Sequence, residues 1–126
     1  MNNDELLIKT IIQCIYNVRG ILGPGYLESV YKNALMRELE LNGLKSSAEE
    51  SLTVTYKNVI VGEFRADLIV EGRVIIEIKA VETLHKVHEV QLVNYLTATG
   101  IDSGILVNFG GSDIQIKRKY RVYTPK

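Results

Sequence analysis

The sequence predicts an α/β domain in which helices cover a mixed sheet, with the element order ααβββαββ. Two observations carry this prediction. Apolar residues recur at helical spacing near the start of the chain and again before Gly100, whereas from Leu52 the apolar pattern has a period of two. With 126 residues, the chain has the length of one domain, so we expect residues 1–126 to share a single core.

The first two elements are predicted as helices. From Asp4 to about Leu22, apolar residues form one helical stripe that faces the core. The GPG segment at Gly23–Gly25 breaks this pattern, and a second helical pattern follows. It ends near Asn42-Gly43, where glycine suits a left-handed C-cap.

Three strands should follow as an antiparallel meander, with the sequences LTVTY, VIVGEFRADLIV and VIIEIKAV. Helical spacing returns from about Val87 to Thr99. After this helix, GILVNF reads as a short buried strand, and IQIKRKYRVY alternates as a more exposed last strand. The third helix thus lies between the third and fourth strands in the sequence, which completes the predicted order.

Composition limits the classes of function. Formal net charge is zero, with 15 basic and 15 acidic residues, so no global field attracts a polyanion. The single cysteine, Cys14, cannot form an intrachain disulfide, and its helical pattern favours a buried thiol. The chain starts with acidic residues where a signal peptide needs basic ones, and no apolar run approaches ~20 residues. We therefore expect a soluble, cytoplasmic protein without membrane contact.

Basic residues with interleaved tyrosines are concentrated near the end of the chain. The basic residues are Lys117, Arg118, Lys119 and Arg121, and the tyrosines are Tyr120 and Tyr123. Such a patch suits nucleic-acid binding. The alternative is a solvated edge strand, on which Lys and Arg discourage pairing with other sheets.

The predicted hairpin from Phe64 to Ala80 carries three charged residues, Asp67, Glu77 and Lys79, among branched apolar ones. Alternation leaves one face of this hairpin wholly apolar, so that face belongs to the core. Whether the two carboxylates lie together on the other face depends on the length of the loop.

A two-residue loop at Glu71-Gly72 would put the carboxylates of Asp67 and Glu77 on opposite faces. A three-residue loop over Val70–Gly72 would place Asp67 opposite Ile75 and diagonal to Glu77. The longer loop also gives glycine the third position, which favours positive φ, and keeps an unpaired charge off the apolar face. We therefore predict a three-residue loop, or another odd one, with all three charged groups together.

Two neighbouring carboxylates repel each other unless positive charge lies between them. Lys79 supplies one charge, and a divalent cation would supply the rest. Carboxylate oxygens suit Mg²⁺ or Mn²⁺ rather than Zn²⁺, and with one cysteine and His85 and His88 without partners the sequence has no zinc pattern. Such a site beside a lysine is a recurring arrangement for phosphodiester hydrolysis. The alternative is a salt bridge on a solvated sheet face, because D-x9-E-x-K is a short pattern.

The motif G-x-x-E-x-x-Y at Gly25, Glu28 and Tyr31 is followed by GEFRADLIVEGRVIIEIKAVETLHKVHEVQLVNYL and ILVNFG. This combination resembles the GxxExxY protein family, which is assigned to the PD-(D/E)XK nuclease-like superfamily, over about Ile21 to Phe109. The resemblance implies a restriction-endonuclease-like fold with an αβββαβ core, to which the first helix and last strand are additions.

The resemblance also implies roles for individual residues. Glu28, Asp67 and Glu77 would hold Mg²⁺ or Mn²⁺, and Asp67, Glu77 and Lys79 would be catalytic, with Lys79 beside the attacking water. In the PD-(D/E)XK motif a proline precedes the aspartate, whereas in this sequence Ala66 precedes Asp67. Without the resemblance, Glu28 in the first turn of its helix is explained by the helix dipole.

Three further residues are predicted to position the substrate. Gln91 and Tyr95, an i, i+4 pair, resemble the Q-x-x-x-Y element that contacts the scissile strand in exonuclease-type members. Tyr31 lies one turn after Glu28 and could pack over its carboxylate, although an aromatic residue at this spacing is equally explained by the core.

These patterns predict a Mg²⁺-dependent nuclease that acts on nucleic acid, DNA rather than RNA. The first alternative is a catalytically silent module of the same fold that binds nucleic acid or a protein partner. A further alternative is a subunit, in which a second copy or another chain supplies the basic groove.

Overall fold

The computed structural model describes residues 3–122. The helices and strands, in chain order, are α1 (Asn3–Leu22), α2 (Glu28–Leu41), β1 (Ser46–Tyr56), β2 (Val59–Val70), β3 (Val74–Lys79), α3 (Lys86–Thr99), β4 (Ser103–Asn108) and β5 (Gln115–Tyr120). The predicted order ααβββαββ is confirmed. The last strand ends at Tyr120 rather than running on, and Tyr123 lies outside the described residues.

The five strands form one mixed sheet in the order β1-β2-β3-β4-β5. The β1–β2, β2–β3 and β4–β5 pairs are antiparallel, whereas β3 and β4 are parallel. Parallel neighbours need a crossover connection, and α3 provides it. The crossover places α3 beside the end of β3, where Lys79 lies.

Both faces of the sheet are buried, because helices cover each of them. The larger core lies between α1, α2 and one face, and its sheet residues include Leu68, Val70, Val74, Ile76, Ile78, Ile105 and Val107. The smaller core joins the opposite face to α3 and consists of Ala66, Ile69, Ile75, Leu92, Leu96 and Leu106. The hairpin therefore has no solvated face of the kind that the salt-bridge alternative requires.

Helix α1 contributes a buried stripe to the larger core. Its members are Leu7, Ile8, Ile11, Cys14, Ile15 and Val18. Cys14 is a free, buried thiol, as its spacing predicted. Within residues 3–122, no helix combines the length and the apolar character needed to cross a bilayer.

The β1–β2 hairpin extends well beyond the rest of the sheet. Strand β3 pairs with β2 only over Leu68–Val70, so the outer part of the hairpin is a two-stranded arm. Its exposed apolar residues are Val54, Tyr56, Val59, Ile60 and Val61. The arm begins where β2 and β3 separate, and this separation opens the cleft described below.

A side-chain clamp holds the chain that leaves β3. Asn108 at the end of β4 is fully buried and pairs with Lys79 in the parallel ladder. Its Oδ1 accepts from the N–H groups of Val81 and Gly110, both at 3.0 Å. Its Nδ2 donates to the Val81 carbonyl at 2.8 Å and to Gln115 Oε1 at 3.1 Å. All polar atoms of this amide are thus used to fix the backbone just after Lys79.

Gly110 is expected to tolerate no side chain, because a Cβ there would lie 2.5 Å from Val81 N and 2.6 Å from the carbonyl carbon of Ala80. We expect Gly110→Ala to lower the free energy of unfolding by about 1–3 kcal/mol in chemical denaturation. The control is Gly20→Ala in α1, where the new Cβ meets nothing within 4 Å. This change should stabilise the helix by up to about 1 kcal/mol, so equal effects at both positions would contradict the clamp.

Candidate active site

The turn between β2 and β3 sets the register of the charged residues. It has three residues, Glu71–Arg73, so the predicted odd loop is present but begins one residue later than predicted. Ile75 pairs with Ile69. If this register is continued by two residues along each strand, Asp67 aligns with Glu77, rather than with Ile75 as the sequence predicted, although the paired ladder itself ends at Leu68–Ile76.

The shift has its cause in the backbone of the turn. Both Glu71 and Gly72 have positive φ, 53° and 66°, and the Arg73 N–H donates to the Val70 carbonyl at 2.9 Å. Gly72 therefore occupies the second position of the turn, not the third. Glu71 is held in this conformation by Lys45, whose carbonyl accepts from its N–H at 2.8 Å and whose N–H donates to its carboxylate at 3.2 Å. This tertiary pairing lies outside the hairpin sequence.

Strands β2 and β3 separate at the two carboxylates. The ladder ends at the pair Leu68–Ile76, and the Ile78 N–H donates at 2.7 Å to Asp67 Oδ2 instead of to a backbone carbonyl. Glu77 is 7% exposed, and its Oε1 forms no hydrogen bond within the described residues. A buried carboxylate oxygen without a partner is costly, which makes this atom a candidate ligand position.

Glu77 is electrostatically strained in the metal-free protein. Burial is the largest cause, and the neighbouring charge of Asp67 adds to it, so that the pKa of Glu77 rises from 4.5 to about 8. A hydrogen bond with Asp67 acts in the same direction, whereas the charge of Lys79 opposes the rise. At neutral pH the pair therefore holds a proton, which a bound cation would displace.

Lys79 is the last residue of β3 and is half-buried. Its carbonyl accepts from the Phe109 N–H at 2.9 Å, which holds its backbone in the sheet. Within residues 3–122 its ammonium group forms no ion pair, although its charge reaches both Glu77 and His88. The ammonium group is thus placed beside the carboxylates without being neutralised by one of them.

Helix α2 supplies the other wall of the site. Its first residue, Glu28, borders a cavity of about 190 Å³ together with Asp67. The remaining lining residues are Ser29, Lys32, Glu49 and Ile78. Within the described part of the chain, no three His, Cys, Asp or Glu side chains lie close enough to hold a metal ion together. Glu28 therefore shares a cavity with Asp67 without completing a three-ligand cluster.

Lys32 and Glu49, which line the cavity, were not predicted as site residues. Their side chains form an ion pair at 2.5 Å on the wall of this cavity. Lys32 follows Glu28 by four residues, and this helical spacing is the one signal that could have identified it. Glu49 has a positive φ of 56° and interrupts the β1–β2 ladder opposite Asp67, which no local pattern reveals.

Tyr31 is fully buried, so its hydroxyl group cannot reach a substrate. The hydroxyl donates to the Gly23 carbonyl at 2.6 Å and accepts from the Tyr26 N–H at 3.2 Å. Its ring stacks on Phe109 with 4.5 Å between centroids. The direct role in substrate positioning that the sequence predicted is thus replaced by an indirect one, in which Tyr31 fixes the loop before Glu28.

We expect Tyr31→Phe to lower the free energy of unfolding by about 1–3 kcal/mol, because the loop loses both hydrogen bonds while the ring stack remains. Chemical denaturation checks this. Tyr16→Phe is the matched control, since Tyr16 is 52% exposed, and it should change stability by less than about 0.5 kcal/mol. A Tyr31→Phe protein as stable as the parent would show that the loop does not depend on this hydroxyl group.

Helix α3 brings Gln91 and Tyr95 to the carboxylates. Gln91 Nε2 donates to the Tyr95 hydroxyl group at 2.7 Å. Burial, followed by the charge of Glu77 and a smaller contribution from Asp67, raises the pKa of Tyr95. The Tyr95 ring also stacks on Phe64, with centroids 3.7 Å apart and planes within 8°. Phe64 was not predicted as a site residue, although its position three residues before Asp67 was a usable signal.

The basic residues near the end of the chain are mostly neutralised. Lys117 is exposed, but the other three form ion pairs. These are Arg118 with Glu5 at 2.7 Å, Lys119 with Glu89 at 2.5 Å and Arg121 with Asp102 at 2.8 Å. Strand β5 lies at the edge of the sheet, which agrees with the alternative interpretation of these residues as a solvated edge strand. These pairs leave little free charge for the predicted contact with nucleic acid.

A mixed sheet whose second and third strands part at facing carboxylates, with a lysine two residues further on, defines a nuclease-like domain. The chain belongs to the PD-(D/E)XK nuclease superfamily, whose family model matches residues 5–119. The restriction-endonuclease-like fold predicted from the sequence is therefore confirmed, while assignment to the GxxExxY group stays a prediction.

Among solved structures, the crystal structure of SSO0001 is similar, with a TM-score of 0.60 and 21% sequence identity. The match covers 77% of this chain and 52% of that one, so the chain spans about half the length of SSO0001. This likeness concerns the fold alone. No curated protein matches the chain significantly.

Proposed function

We propose that the chain is a divalent-metal-dependent nuclease that hydrolyses phosphodiester bonds of nucleic acid, in DNA rather than RNA. The observation that carries this proposal is the buried Glu77 Oε1 without a hydrogen-bond partner in the described residues, on a carboxylate that faces Asp67. A structural pair on a solvated surface would have neither the burial nor the missing partner.

The donor set fits Mg²⁺ or Mn²⁺. Both are hard cations, and Mg²⁺ commonly takes one or two protein carboxylates together with water and substrate phosphate. Asp67 and Glu77 would hold the cation, and Glu28 on the shared cavity would join through water. A cation bound there would supply positive charge against the negative charge that develops on the phosphate in the transition state.

The chain's own residues would orient the reactants. The Lys79 ammonium group, which has no ion-pair partner within residues 3–122, is suited to hold the attacking water and to stabilise charge on the phosphate. Gln91 and Tyr95 would hold a phosphate oxygen of the scissile strand. The water oxygen bonds to phosphorus and gives up a proton to solvent, the bond from phosphorus to the leaving sugar oxygen breaks, and that oxygen takes up a proton from solvent.

The test is a calorimetric titration with Mg²⁺ and Mn²⁺ of the parent, of the Asp67→Ala, Glu77→Ala double variant and of Lys79→Ala. Cleavage of labelled single-stranded DNA, duplex DNA and RNA is then measured with the same proteins. We expect the parent to bind metal and cleave, the double variant to do neither, and Lys79→Ala to bind without cleaving. A parent that binds no metal at millimolar concentration would overturn the proposal.

The ion pairs on β5 favour a second candidate. Because few basic side chains remain unpaired there, a catalytically silent module that binds nucleic acid or a protein partner is also consistent with this surface. A partner subunit or a second copy would then supply the basic groove. A parent protein that neither binds metal nor cleaves in the experiment above, but binds a labelled oligonucleotide in a separate anisotropy titration, would select this candidate.

A further inference from the structure

A polar stripe runs along one face of α3. His88, Gln91 and Tyr95 are spaced i, i+3 and i+7, which puts them on one side of the helix. The end of the stripe formed by Gln91 and Tyr95 lies against β2, because Gln91 donates to the Tyr95 hydroxyl group and the Tyr95 ring stacks on Phe64, three residues before Asp67. His88 lies at the other end, in the first turn of the helix.

The orientation of the His88 ring is set by the start of the helix. Its Nδ1 accepts from the His85 N–H at 3.3 Å, and the His88 N–H donates to the His85 carbonyl at 3.0 Å. Because Nδ1 is an acceptor, the neutral ring carries its proton on Nε2, which is left as a donor.

Charged groups on two other elements of the candidate site act on the His88 ring. Burial is the first cause that lowers its pKa, and the charges of Lys79 and His85 act in the same direction, against Glu28. Lys79 belongs to β3 and Glu28 to α2. The charges of Lys79 and Glu28 are therefore within electrostatic range of the ring, and both residues belong to elements that line the candidate site.

We propose that His88 is a further substrate-contacting residue, whose Nε2–H donates a hydrogen bond to a phosphate oxygen of the bound nucleic acid. The inference rests on the proposed function and extends it along α3. Because the His88 ring is an uncharged donor, it would add a contact to phosphate without placing a second positive charge where it would repel the Lys79 ammonium group. Together with Gln91 and Tyr95 it would give the strand a line of uncharged contacts along the helix.

The competing explanation is that His88 serves only as a cap for α3, through Nδ1. Two substitutions separate the roles, because asparagine and glutamine each retain one end of the imidazole. His88→Asn places an acceptor near the position of Nδ1 and lacks the outer donor. His88→Gln places an N–H donor near the position of Nε2 and lacks the inner acceptor.

The measurement is the affinity for a labelled single-stranded oligodeoxynucleotide in Ca²⁺, where fluorescence anisotropy reports binding without turnover. Single-turnover cleavage in Mg²⁺ and thermal stability accompany it. We expect His88→Asn to weaken binding about tenfold while keeping the melting temperature of the parent, and His88→Gln to stay within about threefold of parental binding. His85→Gln, which removes the neighbouring ring but keeps the backbone bonds, should bind like the parent.

The reverse order of the two variants, or equal binding by both, would overturn the contact, whatever their stability. Failure of the proposed function is a separate result, since it appears in the parent protein as missing metal binding or missing cleavage. The role of His88 appears only in the difference between the two variants of a parent that binds the oligodeoxynucleotide.

Discussion

Replacing Glu77 by glutamine is expected to stabilise the metal-free protein at mildly alkaline pH and to abolish its affinity for divalent cations. Glutamine keeps the shape of the side chain but has no charge to desolvate, and its amide can donate to the Asp67 carboxylate. We expect a gain of about 2–4 kcal/mol in the free energy of unfolding near pH 8, measured by chemical denaturation in the presence of a chelator. Calorimetry with Mg²⁺ checks the loss of binding.

The raised pKa of Glu77 also predicts the direction in which the stability of the parent protein changes with pH. Because the pKa of Glu77 is 4.5 ordinarily and about 8 in the folded protein, the folded state binds this proton more tightly than the unfolded state. The stabilising effect is complete below pH 4.5, decreases as the pH rises towards about 8, and is lost above it. Glu77→Gln should remove this decrease.

Glu82→Gln is the matched control, because Glu82 is exposed on the loop after β3. This variant should retain the parental pH profile and parental metal affinity. If Glu77→Gln showed the same decrease in stability between these pH values as the parent, another group would be responsible for it, and the assignment of the strained carboxylate would be wrong.

Replacing Lys79 by methionine is expected to lower the rate of cleavage by about 10²–10³-fold and to leave metal binding in place. Methionine retains much of the apolar stem, so the half-buried position stays filled. Within residues 3–122 the lysine has no ion-pair partner that its removal would leave unpaired. Since Lys79 lowers the pKa of Glu77, metal affinity should be compared at a pH well above that pKa, where Glu77 is ionised in both proteins.

Lys45→Met provides the control for the loss of a positive charge. Lys45 is exposed beside the β2–β3 turn, away from the cleft, so its replacement should leave the cleavage rate within about twofold of the parent. Single-turnover kinetics at saturating metal separate the rate of the chemical step from binding. A Lys79→Met protein that cleaves at the parental rate would exclude this lysine from the reaction.

The order of helices and strands was predictable because each element has its own apolar period. The helical stripe of α1 and the alternation in β2 and β3 are local, and both appear in the structure where the sequence places them. The register of the hairpin was only half predictable. Glycine at position 72 indicated positive φ, but the positive φ of Glu71 depends on Lys45, which lies 26 residues earlier.

The roles of the candidate site residues stay a prediction, and their environments could not be predicted from the sequence. Asp67, Glu77 and Lys79 were selected by their charges within an apolar hairpin, and the structure brings them together. Tyr31 was given a contact with substrate, and its burial against Phe109 replaces this with a structural role. Burial depends on packing from other elements, which a local pattern does not contain.

By itself, the amino-acid sequence determined the element order, the single buried thiol and the residue types of the cleft, because periodicity and charge are properties of neighbouring residues. Only the tertiary structure decided that α3 covers the second face of the sheet and leaves Glu77 buried with an unpartnered oxygen in the described residues. It also decided that Arg118 and Lys119 of β5 are paired with acids, in the case of Arg118 with one 113 residues away in the chain. Both outcomes result from contacts between distant segments, and the pKa of a carboxylate or the availability of a cation depends on those contacts.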